Sequence, residues 1–130
     1  RLAEALSEHL SKAVNGAKIL LIGMAYKSDV DDMRESPSLV LTELLEHRGA
    51  TVDYHDNYVP VIPTTREHSG LSGRQSVELN AENLGAYDAV LISTEHSDVD
   101  FQLLADRAKL IIDTRNAMHG ILGKAVVVKA

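Results

Sequence analysis

Residues 17–37, Ala17-Lys18-Ile19-Leu20-Leu21-Ile22-Gly23-Met24-Ala25-Tyr26-Lys27-Ser28-Asp29-Val30-Asp31-Asp32-Met33-Arg34-Glu35-Ser36-Pro37, decide the fold. Ile19 to Ile22 form an unbroken apolar run of strand length with no polar alternation, the pattern of a central parallel strand covered on both faces. Helices on both sides of the sheet are therefore expected. Ser36 is a suitable N-cap and Pro37 fits the first helical position, where no backbone donor is needed. Leu39, Val40, Leu41, Leu44 and Leu45 follow at helical spacing until Gly49 ends the helix. The stretch reads as strand, charged loop and helix.

In an open α/β sheet, ligands bind beyond the carboxyl ends of the strands. The loop leaves that edge carrying Tyr26, Lys27 and Arg34 beside the N-terminus of the next helix, so positive charge and helix dipole are expected to point together at an anion. A dinucleotide fingerprint would place three glycines here, yet only Gly23 is present. The unit resembles a Rossmann unit without its fingerprint. It is expected to hold another part of a substrate, with side chains in place of glycine backbone.

These residues carry a family resemblance. Gly23-Met24-Ala25-Tyr26-Lys27 followed by residues 29–37 is similar to the signature opening the C-terminal, UDP-binding domain of the UDP-glucose/GDP-mannose dehydrogenase family. Tyr54-His55-Asp56-Asn57-Tyr58-Val59-Pro60 and Ile112-Asp113-Thr114-Arg115-Asn116 agree with it. The resemblance extends from Lys18 onward. It implies that residues 1–16 are the end of a helix connecting from a central domain, and that residues 17–130 are a UDP-sugar-binding domain. It also implies that Tyr26 and Lys27 contact a nucleotide sugar and that Arg34 approaches NAD held by a neighbouring domain. Arg115 is implied to reach a substrate site completed by another subunit, in a homo-oligomer. The activity implied is NAD-dependent oxidation of a sugar C6 hydroxyl to a carboxylate in two hydride transfers. Thr94-Glu95-His96-Ser97 and Asp113-Thr114-Arg115-Asn116-Ala117-Met118 look closer to the UDP-N-acetylhexosamine branch (UDP-N-acetylglucosamine or UDP-N-acetylmannosamine) than to the UDP-glucose branch.

Composition is consistent with one globular domain: 130 residues, 45% of them hydrophobic, suffice for a single core. No run is apolar enough to cross a membrane and no signal peptide is seen, so a cytoplasmic location is expected. A formal charge of -6 and a pI near 5.4 argue against nucleic acid or an anionic membrane as partner. With no cysteine there is no disulfide, thiolate metal site or thiol nucleophile. No catalytic residue is therefore assigned to this chain, and the chain alone is expected to be inactive.

The remaining elements alternate. Leu2, Leu6, Leu10, Ala13 and Val14 form one stripe of a helix that Asn15-Gly16 should end; lacking a cap before it, that helix suggests an excised piece of a longer protein. Thr51–His55 reads as a second strand, and Tyr58 to Arg74, with Pro60, Pro63, Gly70 and Gly73, as an irregular, mobile excursion. Gln75 to Leu79 suggests a short strand, and Asn80 caps a brief helix closed by Gly85. Strands follow at Asp88–Ser93 and Lys109–Asp113, separated by a helix capped by Asp100, with an edge strand at Val126–Val128. The class is a Rossmann-like, doubly wound, mainly parallel α/β domain.

Asp29, Asp31 and Asp32 lack the glycine and distant glutamate of a calcium loop and are expected to shape the loop and pair with Arg34. The six histidines lack metal-ligand spacing, although His55 and His96 sit at strand ends within reach of a substrate. A flavodoxin-like phosphoacceptor module is the competing class. It needs an acidic pair directly after the first strand and a lysine after the last, where this chain has Met24-Ala25-Tyr26 and Arg115.

Overall fold

The structure, a computed structural model, describes residues 2–10 (main chain only at 9 and 10), 12–33 and 36–130. Five parallel strands are β1 (Lys18–Ile22), β2 (Thr51–His55), β3 (Ala89–Ile92), β4 (Leu110–Asp113) and β5 (Val126–Lys129), in spatial order β2-β1-β3-β4-β5. Alternate residues of β1 serve opposite faces. Ile19 and Leu21 pack with Ala5 and Leu6 of helix α1 (Leu2–Leu10) and Leu39 and Leu45 of α2 (Pro37–His47). Leu20 and Ile22 pack with Leu84 of α3 (Ala81–Leu84) and Leu104 of α4 (Phe101–Arg107). The side chains of Ile19, Leu20, Leu21 and Ile22 are all 0% exposed, each contributing on the order of 1.5–3 kcal/mol in transfer from water. That double burial is why the run carries no polar alternation.

Local chemistry sets the helix starts. The Ser36 hydroxyl accepts from the Ser38 N–H at 3.2 Å, with Pro37 next to it; Asn80 accepts from the Asn83 N–H and Asp100 from the Leu103 N–H. The strand register places Ile22, His55, Ile92 and Asp113 side by side, so four loops leave one edge together. The order reverses between β1 and β3, and in such sheets the ligand crevice opens at that reversal.

Three expectations need adjustment. Helix α1 ends at Leu10 and not at Asn15-Gly16, because the Lys12 N–H turns back to the Leu6 carbonyl; Val14 still reaches the core. Residues 75–79 do not form a strand: Gln75 makes one bridge with Val61, and the Val77 N–H bonds the Tyr54 carbonyl without a ladder. The 58–74 excursion is irregular, yet it is fastened and does not hang free. Ile62 and Leu71 enter the core, the Tyr54 hydroxyl donates to the Val59 and Arg74 carbonyls, Arg74 forms a two-pronged pair with Glu46, and His68 pairs with Glu43.

Candidate functional site

Gly23 ends β1 with φ +90°, and its N–H donates to the His55 carbonyl at 3.0 Å. A Cβ there would lie 2.3 Å from the Thr94 carbonyl oxygen, so the glycine lets the loops after β1 and β3 touch. Thr94 closes the contact by donating its hydroxyl to the Ala25 carbonyl at 2.8 Å.

The next donors are taken by one carboxylate. Asp56, fully buried just past β2, accepts from the Met24 N–H at 2.7 Å and the Ala25 N–H at 2.9 Å through Oδ2. The same oxygen lies 2.8 Å from His96 Nε2, while Oδ1 accepts from the Tyr58 N–H. His96 Nδ1 accepts from the Asp29 N–H at 2.7 Å, which fixes the ring as the Nε2–H tautomer. Asp29, itself at φ 60°, accepts from the Ser97 N–H and hydroxyl. Those two bonds hold its carboxyl below the usual carboxylate range. The buried His96 ring, with both nitrogens engaged and Tyr58 4.5 Å away on its face, is out of reach of a ligand. His55 is likewise buried, with Nδ1 on the Val77 carbonyl. It lines a hollow of about 420 Å³ whose rim includes Glu78, Asp98 and Asp100 and therefore repels anions. Both rings at the strand ends, His55 and His96, are thus engaged in bonds within the fold.

The helix dipole expectation also changes. Ser36 and Ser38 are buried, their hydroxyls donating to the Met24 and Gly23 carbonyls. The Ser38 N–H is satisfied by Ser36 Oγ and the Leu39 N–H by the Ser36 carbonyl, so the first turn of α2 is plugged against the β1 loop. Side chains remain. Tyr26 is 51% exposed and Lys27 is exposed beside it. Arg115 follows β4 on a turn wrapped around the buried Asp113 carboxylate, which accepts from the N–H groups of Arg115, Ala117 and Met118. Its guanidinium donates to Glu95 at 2.6 Å and 3.4 Å, and Glu95 also accepts from the Ser28 hydroxyl at 3.0 Å. Burial pushes the Glu95 carboxyl up, but Arg115, its own main chain and Ser28 outweigh it and hold the group below its usual range. Glu95 therefore gathers the residue after Lys27 and Arg115 at one place on the ligand edge.

Of the expected site residues, Tyr26, Lys27 and Arg115 are exposed at this edge; Arg34, and its pairing with the aspartates, lies outside the described residues. Asp56 and Glu95 had no role assigned from sequence, although Asp56 sits where a Rossmann unit carries its ribose-binding acid. Among the described residues, no group of three or more His, Asp or Glu side chains is placed to hold a metal ion.

The model of the UDP-glucose/GDP-mannose dehydrogenase family, UDP binding domain, matches residues 20–120, from β1 through the turn after β4. The chain belongs to that family. A UDP-glucose 6-dehydrogenase of Bacillus subtilis is 32% identical over 108 residues, covering 79% of this chain and 24% of the relative. A UDP-N-acetyl-D-mannosamine dehydrogenase of Methanococcus maripaludis is 27% identical over 121 residues, covering 92% and 27% respectively. Among solved structures, a UDP-D-ManNAc dehydrogenase from Pyrococcus horikoshii superposes with TM-score 0.74 at 26% identity, over 98% of this chain and 28% of that one. The chain thus spans about a quarter of the length of these relatives. Within a family of dehydrogenases, a domain whose β1 loop amides are occupied by its own Asp56 does not offer a dinucleotide the main-chain cradle of a glycine fingerprint.

Proposed function

We propose that this chain is the UDP-sugar-binding C-terminal domain of a longer NAD-dependent nucleotide-sugar 6-dehydrogenase, and that residues 1–16 belong to its connection with a preceding central domain. The observation that carries this reading is the convergence of the Lys27 loop and Arg115 on Glu95 at the sheet reversal, inside the family match. Two long cations can grip a diphosphate by charge-assisted hydrogen bonds, and the exposed Tyr26 ring offers a face to a planar base. Arg34 is assigned, from its place in the motif, to the side facing NAD on the neighbouring domain. NAD accepts hydride when bound there. Any thiol nucleophile the reaction uses would have to come from outside this chain, which has no cysteine.

UDP-N-acetylglucosamine or its manno epimer is the favoured substrate, on the Thr94–Ser97 and Asp113–Met118 sequences. The higher identity to a UDP-glucose 6-dehydrogenase, 32% against 27%, favours UDP-glucose as the second reading. Calorimetric titration of UDP into the full-length protein tests the binding role. Lys27→Ala and Arg115→Ala should each weaken UDP by roughly ten- to hundredfold, the equivalent of about 1.5–3 kcal/mol, with unfolding temperature little changed. Unaltered affinity in both folded variants would refute the assignment. The ratio of kcat/KM on UDP-N-acetylglucosamine and UDP-glucose decides the sugar, and this chain alone should form no NADH with either.

A further inference from the structure

We infer that His96 is a positioning residue for the loop carrying Tyr26 and Lys27, acting as the second foot of an arch whose first foot stands directly on Asp56. This rests on the UDP-binding role proposed above for that loop. The geometry is a closed path through one buried carboxylate oxygen. On one side, Asp56 Oδ2 accepts from the Met24 and Ala25 N–H groups at 2.7 and 2.9 Å. On the other, it takes the His96 Nε2–H at 2.8 Å, and His96 Nδ1 receives the Asp29 N–H at 2.7 Å. Residues 26–28 span the two feet, with Tyr26 and Lys27 exposed.

Three observations argue that the span is set by the feet. Asp29 holds a left-handed φ of 60°, a conformation that costs a residue with a Cβ some energy even for Asp, and it is pinned there by His96 on its N–H and Ser97 on its carboxylate. Asp56 and His96 are both fully buried, and the Tyr58 ring lies on His96, so little water can compete for these bonds. The ring spans Asp56 Oδ2 and the Asp29 N–H with one nitrogen on each, a distance a shorter side chain would leave to water. Because both nitrogens are used, His96 acts through the loop and does not touch the ligand.

The test uses the full-length protein with UDP as probe and two readouts. His96→Phe keeps the ring bulk and the tilted ring contact with Tyr58 but removes both hydrogen bonds, while Asp56 keeps its bonds to Met24 and Ala25, so the fold should persist. Amide hydrogen exchange over residues 26–29 should accelerate severalfold in His96→Phe and stay unchanged in Lys27→Ala. UDP affinity should fall roughly three- to tenfold with kcat at saturation retained. His96→Gln, which carries a donor and an acceptor, should recover part of the loss, and it replaces the Phe variant if that one does not fold. In a double-mutant cycle, His96→Phe should cost less in a Lys27→Ala background than alone, because the arch then positions Tyr26 only. Unchanged exchange over 26–29, fully additive effects on UDP affinity, or a fall in kcat without a change in KM would each overturn the inference. An unaltered UDP affinity in Lys27→Ala alone would refute the ligand reading of the loop; accelerated exchange in His96→Phe would in that case still support the arch.

Discussion

Gly23 and Gly16 allow the cost of a close approach to be separated from the cost of a backbone conformation. Both have left-handed φ, +90° and +86°, but a Cβ on Gly16 meets nothing within 4 Å, whereas one on Gly23 lies 2.3 Å from Thr94 O and 2.5 Å from Thr94 Cβ. Gly16→Ala should cost only left-handed strain, about 1–2 kcal/mol, less the 0.4–1 kcal/mol or so gained by restricting the unfolded chain. Gly23→Ala adds a clash with main chain that no rotamer relieves. To reach ordinary contact the two loops must part by about an ångström. That movement strains the Ser93 and Thr94 N–H bonds to the Ile22 carbonyl and the Thr94 hydroxyl bond to the Ala25 carbonyl. At roughly 0.5–1.5 kcal/mol each these three add about 1.5–4.5 kcal/mol, which with the net strain makes a total of about 1.5–6 kcal/mol against a typical domain stability of about 5–15 kcal/mol. Urea unfolding followed by far-ultraviolet circular dichroism measures both variants. A Gly23→Ala cost within 1 kcal/mol or so of the Gly16→Ala cost would refute the argument that this glycine exists to let the loops meet.

Burial and the Asp56 charge push the Tyr54 phenol up to about 12, and burial with the Asp53 hydrogen bond raises Tyr87 as well. Because the folded state favours the neutral phenol, this stability is fully present below the ordinary value of 10.0 and is lost as pH rises through the folded value. Unfolding in the window from pH 10 to 12, tracked by phenolate absorbance, is therefore expected, and ordinary titration of both tyrosines in the folded protein would contradict it. Asp113→Ala removes the acceptor of three main-chain donors, at Arg115, Ala117 and Met118, and should cost about 2–4 kcal/mol while loosening the Arg115 turn. Wild-type stability with unaltered exchange over 115–118 would show that the turn does not depend on that carboxylate.

The parts of the fold legible in the sequence are those whose cause is local or one-dimensional. β1, β3 and β4 are buried on both faces and read as unbroken apolar runs, and α2, α3 and α4 begin at Ser36, Asn80 and Asp100, whose side chains cap them as the sequence suggests. What was hidden is set by partners distant in sequence. Residues 75–79 look β-rich, but their conformation follows from single bonds to Tyr54 and His55. The excursion before them looks loose, yet it is held by Arg74 on Glu46, 28 residues away. The ligand edge divides the same way. Tyr26, Lys27 and Arg115 stand out in the sequence because they lie in an irregular motif, and the structure leaves all three exposed at that edge, while the contacts of Asp56 and His96 join residues 32 and 40 apart that no periodicity records.

The same contacts show why a site at this Rossmann-like unit, as proposed, would not use the main chain of a glycine fingerprint. A phosphate at such a loop would ordinarily be met by main-chain amides and the start of the following helix. Here the amide of Gly23 is given to His55, those of Met24 and Ala25 to Asp56, that of Tyr26 to the Asp32 carbonyl, and those of Ser36, Ser38 and Leu39 to Met33 and Ser36. Asp56 occupies from within the place where an external anion would accept from the Met24 and Ala25 amides, which is why the proposed site relies on long side chains standing above the loop. Main-chain cradles are rigid, but in the proposed site Lys27 and Arg115 are rotamer-rich and would lose entropy on binding unless something sets them beforehand. Glu95 holds Arg115, and the arch on Asp56 and His96 sets the backbone beneath Lys27. Affinity in this domain should therefore respond to changes in buried residues that never meet the ligand, while the five-stranded sheet below stays unaltered.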